Sequence, residues 1–471
     1  MKFSDHFFGF TFSDANRVFS QILKKGHFGE LYFEFSESIS VVFEDDIVKS
    51  ASRVQQGGVG VRVIEGETTG YSYCETFDID SIIKAGKFAS AIASSKRDLF
   101  TYPIEFKEIK GHYLYQADLI LESFELTKRV EILKKLTEKA YKYSDLIKKA
   151  NGRITDTVSR IFIINSQGEY GFDIRPSISV SVSTIAEKGD KREFGRDGFA
   201  KRGGFELING DILTSLANEA SRKAILNLDA KPAPAGLMPV VLAAGESGAL
   251  IHESVGHPLE ADFIRKKSSA YTGRVGEKVA SSLCTIVDDG TIPENTGSLN
   301  FDDELVKTEK TVLIEKGILK RFMTDRLNAD LLSIPYSGNG KRESFKSNPI
   351  PRMRVTYLDA GEDNPEDIIK SVEKGIMCCS FAGGQVDISS GDFVFVPNES
   401  YYIENGEVKY PVKNLTLIGN GPDVLTKVDM VGYDLKFSSG NWICGKGQSV
   451  QVGIGMPTIR IKEITVGGQQ A

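Results

Sequence analysis

Two of the five histidines in this 471-residue chain stand five positions apart in Leu250-Ile251-His252-Glu253-Ser254-Val255-Gly256-His257-Pro258. Two neutral imidazoles and an adjacent carboxylate are the parts a metallohydrolase needs, two nitrogen ligands and one general base. In the usual zinc-peptidase motif the histidines are four apart and share one face of a helix. An offset of five turns the second ring about 140° from the first, so an ideal helix would splay the pair. Convergence requires one extra residue absorbed near the second ligand, by a π-bulge or an early helix end. Gly256 permits that distortion at low steric cost. Pro258 is expected to push His257 out of the α region and so to end the helix there. The competing reading is an ordinary helix C-terminus with histidines placed for capping.

A catalytic zinc usually has three protein ligands and an open position for water. The other histidines, His6, His27 and His112, lie far upstream, which leaves cysteines and carboxylates. Cys74, Cys284 and the pair Cys378-Cys379 sit in or beside apolar segments, where an inert buried thiol is the default. Cys444 lies between glycines in Gly440-Asn441-Trp442-Ile443-Cys444-Gly445-Lys446-Gly447 and reads as part of an exposed loop. Glu260 and Asp262 are close downstream of the second histidine. On residue chemistry alone Cys444 is favoured, with the two acids left open.

Several elements must hold such a site. A strand at 239–244 feeds the helix that carries His252 and Glu253. Before it, Lys231-Pro232-Ala233-Pro234-Ala235-Gly236 is the best domain boundary in the chain, separating an N-terminal unit 1–230 from a C-terminal unit 237–471. In the first unit, helical patterns begin at Ser13-Asp14 and recur at 81–93, 126–150 and 211–226. Between them Leu31, Phe33, Phe35, Ile39, Val41 and Phe43, then Val59, Val61 and Val63, alternate as half-buried antiparallel strands do. Further strands are expected at 101–106, 113–121, 159–164 and 174–185. Neither Gly57-Gly58-Val59-Gly60 nor Arg202-Gly203-Gly204-Phe205 has the context of a phosphate cradle, and no chemistry is assigned to this half. Beyond Glu260 the chain is rich in short strands. Lys316-Gly317 marks a hairpin, runs at 353–358, 385–388, 393–396 and 400–403 read as separate strands, and a helix is expected at 364–374 with Pro365 at its first position. The fold class is therefore α+β: an antiparallel sheet with helices, then a strand-rich barrel-like or sandwich-like domain.

Composition excludes several functions. Apolar residues make up 41% and charged residues 26% of the chain, as in a soluble globular protein. A net charge of -6 argues against a nucleic-acid backbone binder. No apolar run approaches a membrane span, and the N-terminus lacks the plan of a signal peptide. Five cysteines without framework spacing suit a reducing, cytoplasmic setting.

With these residues in hand, the second half resembles the TldD/PmbA family, in its TldD branch. The resemblance runs through His252-Glu253-Ser254-Val255-Gly256-His257, Glu260-Ala261-Asp262-Phe263 and Val287-Asp288-Asp289-Gly290-Thr291-Ile292-Pro293. It continues through Gly338-Asn339-Gly340-Lys341-Arg342-Glu343-Ser344, Pro351-Arg352-Met353, Gly383-Gly384-Gln385-Val386-Asp387 and Cys444-Gly445-Lys446-Gly447-Gln448-Ser449-Val450. The first half fits more loosely. The resemblance implies a cytoplasmic zinc metallopeptidase with His252, His257 and Cys444 as zinc ligands and Glu253 as the base acting on a metal-activated water. It also implies unfolded or short peptides as substrates, leader segments of modified peptides among them. The partner implied is a sister TldE/PmbA-type subunit, with a homodimer as the other possibility. Some members have been named modulators of DNA gyrase, for which the acidic balance here offers no physical support. An extended substrate paired to a sheet edge would tolerate many sequences, and Gly383, Gly384, Gln385 and Val386 are the candidate edge, with an ordinary turn as the plain reading. A non-catalytic peptide- or partner-binding subunit is the alternative function.

Overall fold

A computed structural model describes residues 9–23, 26–92, 103–116 and 126–468. His6 and parts of the strands expected at 101–106 and 113–121 lie outside them, as does the last residue of the helix expected at 81–93. The described parts of those two strands, 103–106 and 113–116, are not strand, and in that stretch only Lys107–Glu108 pairs, parallel to Glu169 and Tyr170.

The alternation in the first half builds one antiparallel sheet. Its order is Thr68–Cys74, Ile47–Glu65, Phe28–Glu44, Ile147–Asn165, Glu169–Lys188 and Lys191–Lys201. Because side chains alternate across a strand, Leu31, Phe33, Ile39, Val41 and Phe43 all point to one face. That face takes the helices. Phe12–Ile22 and Ile79–Ile92 cover Leu31, Phe33 and Val61, while Leu126–Tyr143 and Gly210–Leu228 cover Ile39, Val41 and Val180. Thr11 caps the first helix, with Asp14 closing a capping box. On the opposite face Tyr32, Ile161 and Ile163 pack against Phe301, Leu305 and Phe345 from the second half. Farther along, that face carries hydroxyls, with Ser40 and Thr155 at 3.0 Å and Ser38 and Thr157 at 2.9 Å.

The helix expected at 126–150 ends at Tyr143, and the strand Ile147–Asn165 begins at once. Residues 147–150 have helix-compatible composition, but they extend a strand that is paired on both sides from Asn151 onward and are themselves paired with Thr184, Ile185 and Ala186. Tertiary pairing overrides local propensity there.

In the second half five strands close into a barrel. Gly236–Leu242 runs parallel to Lys374–Val386 and antiparallel to Ile459–Gly467. Ile459–Gly467 pairs with Thr416–Asn420, which pairs with Asp392–Glu404, which returns to Lys374–Val386. The short runs expected at 385–388, 393–396 and 400–403 are thus parts of two long strands. The helix expected at 364–374 is only Pro365–Lys370, capped by Asn364, because the first barrel residue comes at Lys374. Lys316 and Gly317 both have positive φ and turn the hairpin Lys310–Glu315/Ile318–Leu319 as expected. A second sheet holds Ile286–Asp289, Val355–Leu358 and Ser449–Met456. One apolar core, including Val240, Leu250, Ile286, Ile376 and Ile454, joins this sheet to the barrel. The proline-rich connector is fastened rather than loose, since Lys231 and Pro232 pair with Val412 and Lys413.

Candidate metal centre

Barrel strand Gly236–Leu242 leads through a short 3₁₀ turn, Glu246–Gly248, into a single α turn, Ala249–Ile251. The next five residues, His252–Gly256, are π-helical, and the His257 N–H donates to the His252 carbonyl five residues back. This is the extra residue that the histidine spacing demands. With it the rings of His252 and His257 come to 5.1 Å between centroids, nearly perpendicular. Gly256 itself lies in the α region at φ -56° and ψ -65°, so the π turn does not use a glycine's conformational freedom; packing accounts for it, since a Cβ there would collide with Met353 Sδ. His257 itself stays in the α region at φ -57° and ψ -46°, contrary to the effect expected of Pro258. Pro258 occupies the first turn of the 3₁₀ segment His257–Leu259, where its missing N–H leaves no bond unmade. The helical path ends at Glu260, which is extended.

Cys444 arrives from the other end of the domain on the hairpin Trp442–Gly445/Ser449–Met456, paired with Val450. It is a buried strand residue, 5% exposed, rather than part of an exposed loop. Glu246, just ahead of the histidine turn, accepts from Trp442 Nε1 at 2.6 Å and from the Ser439 N–H at 2.9 Å, which fixes the approach of this hairpin. The sulfur lies 3.2 Å from His252 Nε2 and 3.1 Å from His257 Nε2. All three donor atoms fall within 4.8 Å of one another. A tetrahedral zinc with ordinary bond lengths would hold such donors about 3.3–3.6 Å apart, so the set fits that ion with small adjustments. The alternative ligands, Glu260 and Asp262, face elsewhere.

Glu260 holds the other ring nitrogen of His257. Its Oε2 lies 3.1 Å from His257 Nδ1, the contact that fixes ring orientation and tautomer in a metal-bound histidine. The same oxygen is 2.9 Å from Lys446 Nζ, which also donates to Asp262 at 2.7 Å and to the Pro351 carbonyl at 3.2 Å. Arg352, fully buried, approaches Glu260 at 3.8 Å and donates to the carbonyls of Cys444 at 2.7 Å and Gln448 at 2.8 Å. Arg352 and Lys446 therefore tie the cysteine hairpin to the carboxylate that orients His257. Both residues stand inside motifs of the resemblance, which gave them no role. Their charge within those motifs is the only signal in the sequence, because the contacts span 92 positions between Arg352 and Cys444.

Electrostatics match a cation-binding site. Burial works against the Cys444 thiolate, yet the adjoining histidines hold its pKa down to about 5. Burial likewise opposes a charged His257, but Glu260 and the thiolate raise it to about 10. For Glu260 burial is outweighed by Lys446, His257 and Arg352, which lower it to about 2. Glu253, half-buried and 4.0 Å from His257 Nε2, is pushed up by burial while the histidines pull it down. His252 Nδ1 is buried with no hydrogen-bond partner among the described residues.

The candidate substrate edge is a barrel strand and not a turn. Gly383, Gly384, Gln385 and Val386 pair with Val396, Phe395, Val394 and Phe393. The parallel ladder on the other side covers only Ile376–Cys378, so 380–386 has one open edge among the described residues. Gly384 is accounted for by packing, since a Cβ would run into the Phe395 ring.

Comparison with known proteins matches three successive stretches of the chain. Residues 29–93 match the PmbA/TldA metallopeptidase domain 1, residues 120–228 its central domain and residues 235–468 its C-terminal domain. The chain is 44% identical over 447 residues to the metalloprotease TldD homolog of Haemophilus influenzae, covering 94% of this chain and 93% of that one. It is 34% identical over 294 residues to the zinc metalloprotease TldD homolog of Saccharolobus solfataricus, 62% of this chain and 65% of that one. Among solved structures, a modulator of a DNA gyrase from Thermotoga maritima superposes with a TM-score of 0.78 at 22% identity, over 97% of this chain and 99% of that one. TldE from Thermococcus kodakarensis gives 0.77 at 20%, over 97% and 100%. Both share the fold. No helix among the described residues is long and apolar enough to cross a membrane.

Proposed function

The chain belongs to the PmbA/TldD family of metallopeptidases, and from that premise we propose that it cleaves unfolded or short peptides, leader segments included, with zinc held by His252, His257 and Cys444. The observation that carries this reading is the convergence of two imidazole nitrogens and a sulfur beside a half-buried glutamate. Bound zinc supplies a Lewis acid that polarises the scissile carbonyl and brings the pKa of a coordinated water towards about 7. Glu253 would be the general base that accepts a proton from the attacking water and returns it to the departing amine. Burial raises the carboxyl of Glu253 towards the working pH, as suits a group that must both accept and donate. Glu260 holds the His257 ring through Nδ1, which leaves Nε2 facing Cys444 Sγ, and Arg352 and Lys446 hold the cysteine hairpin against that pair; His252, His257 and Cys444 would hold the ion.

The open edge at 380–386, with Gly383, Gly384, Gln385 and Val386 at its end, is the segment against which an extended peptide would pair. The sheet unit 1–230 then acts as the wall and the unit 237–471 as the catalytic body. The fold shared with TldE supports pairing with a sister subunit of that type, with a homodimer as the other assembly. Five free cysteines suit a reducing, cytoplasmic compartment.

Glu253→Gln tests the reading. The variant should retain zinc at wild-type stoichiometry by elemental analysis while peptide cleavage falls about 10²–10⁴-fold, the usual share of a general base. Undiminished cleavage would remove Glu253 from the mechanism.

A further inference from the structure

A cavity of about 200 Å³ lies where the first-half sheet meets the cysteine hairpin, with Arg202, Lys341 and Arg175 among its lining residues. Ser159 contributes a hydroxyl from the sheet, and Ser449 and Gln451 come from the hairpin strand. Val450 lines the cavity too, and its partner across the hairpin is Cys444. One hairpin therefore walls both this cavity and the metal centre.

The cations around it divide into two kinds. Arg175 is neutralised by Asp173 at 2.9 Å and Asp303 at 2.5 Å, and Arg342 by Glu30 at 2.6 Å. Arg202 and Lys341 are not neutralised. Arg202 is 9% exposed, its side chain makes no ion pair or hydrogen bond among the described residues, and its guanidinium lies over the Tyr115 ring at 6.0 Å. Lys341, 5% exposed, donates only to the Gln451 carbonyl and meets no carboxylate among the described residues. The strongest charges acting on Lys341 after its burial are three guanidinia, Arg354, Arg202 and Arg352, opposed by Asp303. Glu34, also on the wall, accepts from the Phe345 N–H at 2.7 Å and is held up to about 7 by burial. Burial and these guanidinia lower Lys341 well below the ordinary lysine range, so its ammonium form, like the buried Arg202 guanidinium, needs a negative group beside it, and the polar cavity offers room for one.

The geometry points to a carboxylate-binding subsite here, formed by Arg202 and Lys341, that receives an acidic group of the peptide substrate. The inference deepens the peptidase reading and rests on it. A guanidinium presents a planar fork to a carboxylate, and the lysine adds a point charge. The acid is either the peptide's terminal carboxylate or an acidic side chain, and the chemistry is shared.

The test uses the full-length chain with Glu253→Gln, so that peptides are bound and not consumed, and inorganic phosphate as a peptide-free probe. Peptides are matched as free acid against terminal amide, and as internal Glu against Gln. One acid form should bind about tenfold more tightly than its neutral match, the worth of one charged hydrogen bond, and the pair that shows the preference identifies which acid is held. The preference should fall below about twofold in Arg202→Met and in Lys341→Met. Phosphate should compete with the acid form and raise the melting temperature of the parent more than that of Arg202→Met. Arg202→Met itself should melt at or above the parent, since it removes an uncompensated buried charge. Equal binding of acid and neutral peptides together with an equal phosphate response would overturn the subsite, as would an Arg202→Met variant that melts several degrees lower with its acid preference intact. Wild-type cleavage without any acid preference sinks this inference alone. An acid preference in a protein that cleaves nothing sinks the peptidase reading alone.

Discussion

Two buried charge clusters in this molecule look alike in composition and differ in arrangement. Where the first-half sheet meets the second half, Glu30 lies between Arg62 at 3.1 Å and Arg342 at 2.6 Å, and Glu304 meets Arg62 at 2.6 Å. Each acid there faces a base, and the cluster is closed. At the histidine turn, two imidazole nitrogens and a sulfur face one another at little more than 3 Å. All three are electron-pair donors, and such a set is satisfied only by a shared cation or by protons. Buried charges that answer one another fasten the fold; buried donors that converge on one point define chemistry.

That contrast can be broken first at the metal centre. Cys444→Ala should lose zinc and with it all peptide cleavage, as read by elemental analysis and a peptide assay, while the closed cluster keeps the protein folded by circular dichroism. Arg342→Met attacks the closed cluster and leaves Glu30 partly unpaired. It should cost about 3–5 kcal/mol in denaturant unfolding, with zinc per folded molecule unchanged. A smaller effect separates ligand from support. Glu260→Gln keeps all three ligands but weakens the hold on His257, and zinc affinity by chelator competition should drop about 10–100-fold. The smallest sits beside the closed cluster. Burial lifts Glu34 from 4.5 to about 7, so its folded form holds a proton that the unfolded form has lost. Its contribution to stability is complete below pH 4.5 and disappears as pH rises through about 7. Relative to Glu34→Gln, the wild type should lose about 1–2 kcal/mol of stability between pH 5 and pH 8.

The two clusters are unequally legible in the sequence. The metal turn can be read because its constraint is local: a five-residue offset between histidines, with a glycine and a proline at its end, forces an irregular helix. Proline's effect on His257 is not legible, because the 3₁₀ turn that accommodates the ring is set by the packing of Pro258 and Leu259, both buried. Cys444 is one thiol among five until the family resemblance singles it out, and its burial in a strand is hidden by the flanking glycines. Of Glu30, Arg62, Glu304 and Arg342, only Arg342 stands in a motif of the resemblance, which gave it no role. They meet across 32 to 312 positions, and only packing brings them together. Arg202 is hidden for the same reason, beside a glycine pair that reads as a plain loop. In the fold, the barrel's two long strands look like several short ones because bulges at Cys378, Ser380 and Phe381 break their alternation.

The hairpin bearing the sulfur comes 192 residues after the first histidine. During synthesis, both imidazoles therefore emerge from the ribosome long before the thiolate that completes their set. On the proposed ligand set, a growing chain would lack its third ligand until the hairpin Trp442–Gly445/Ser449–Met456 has been made.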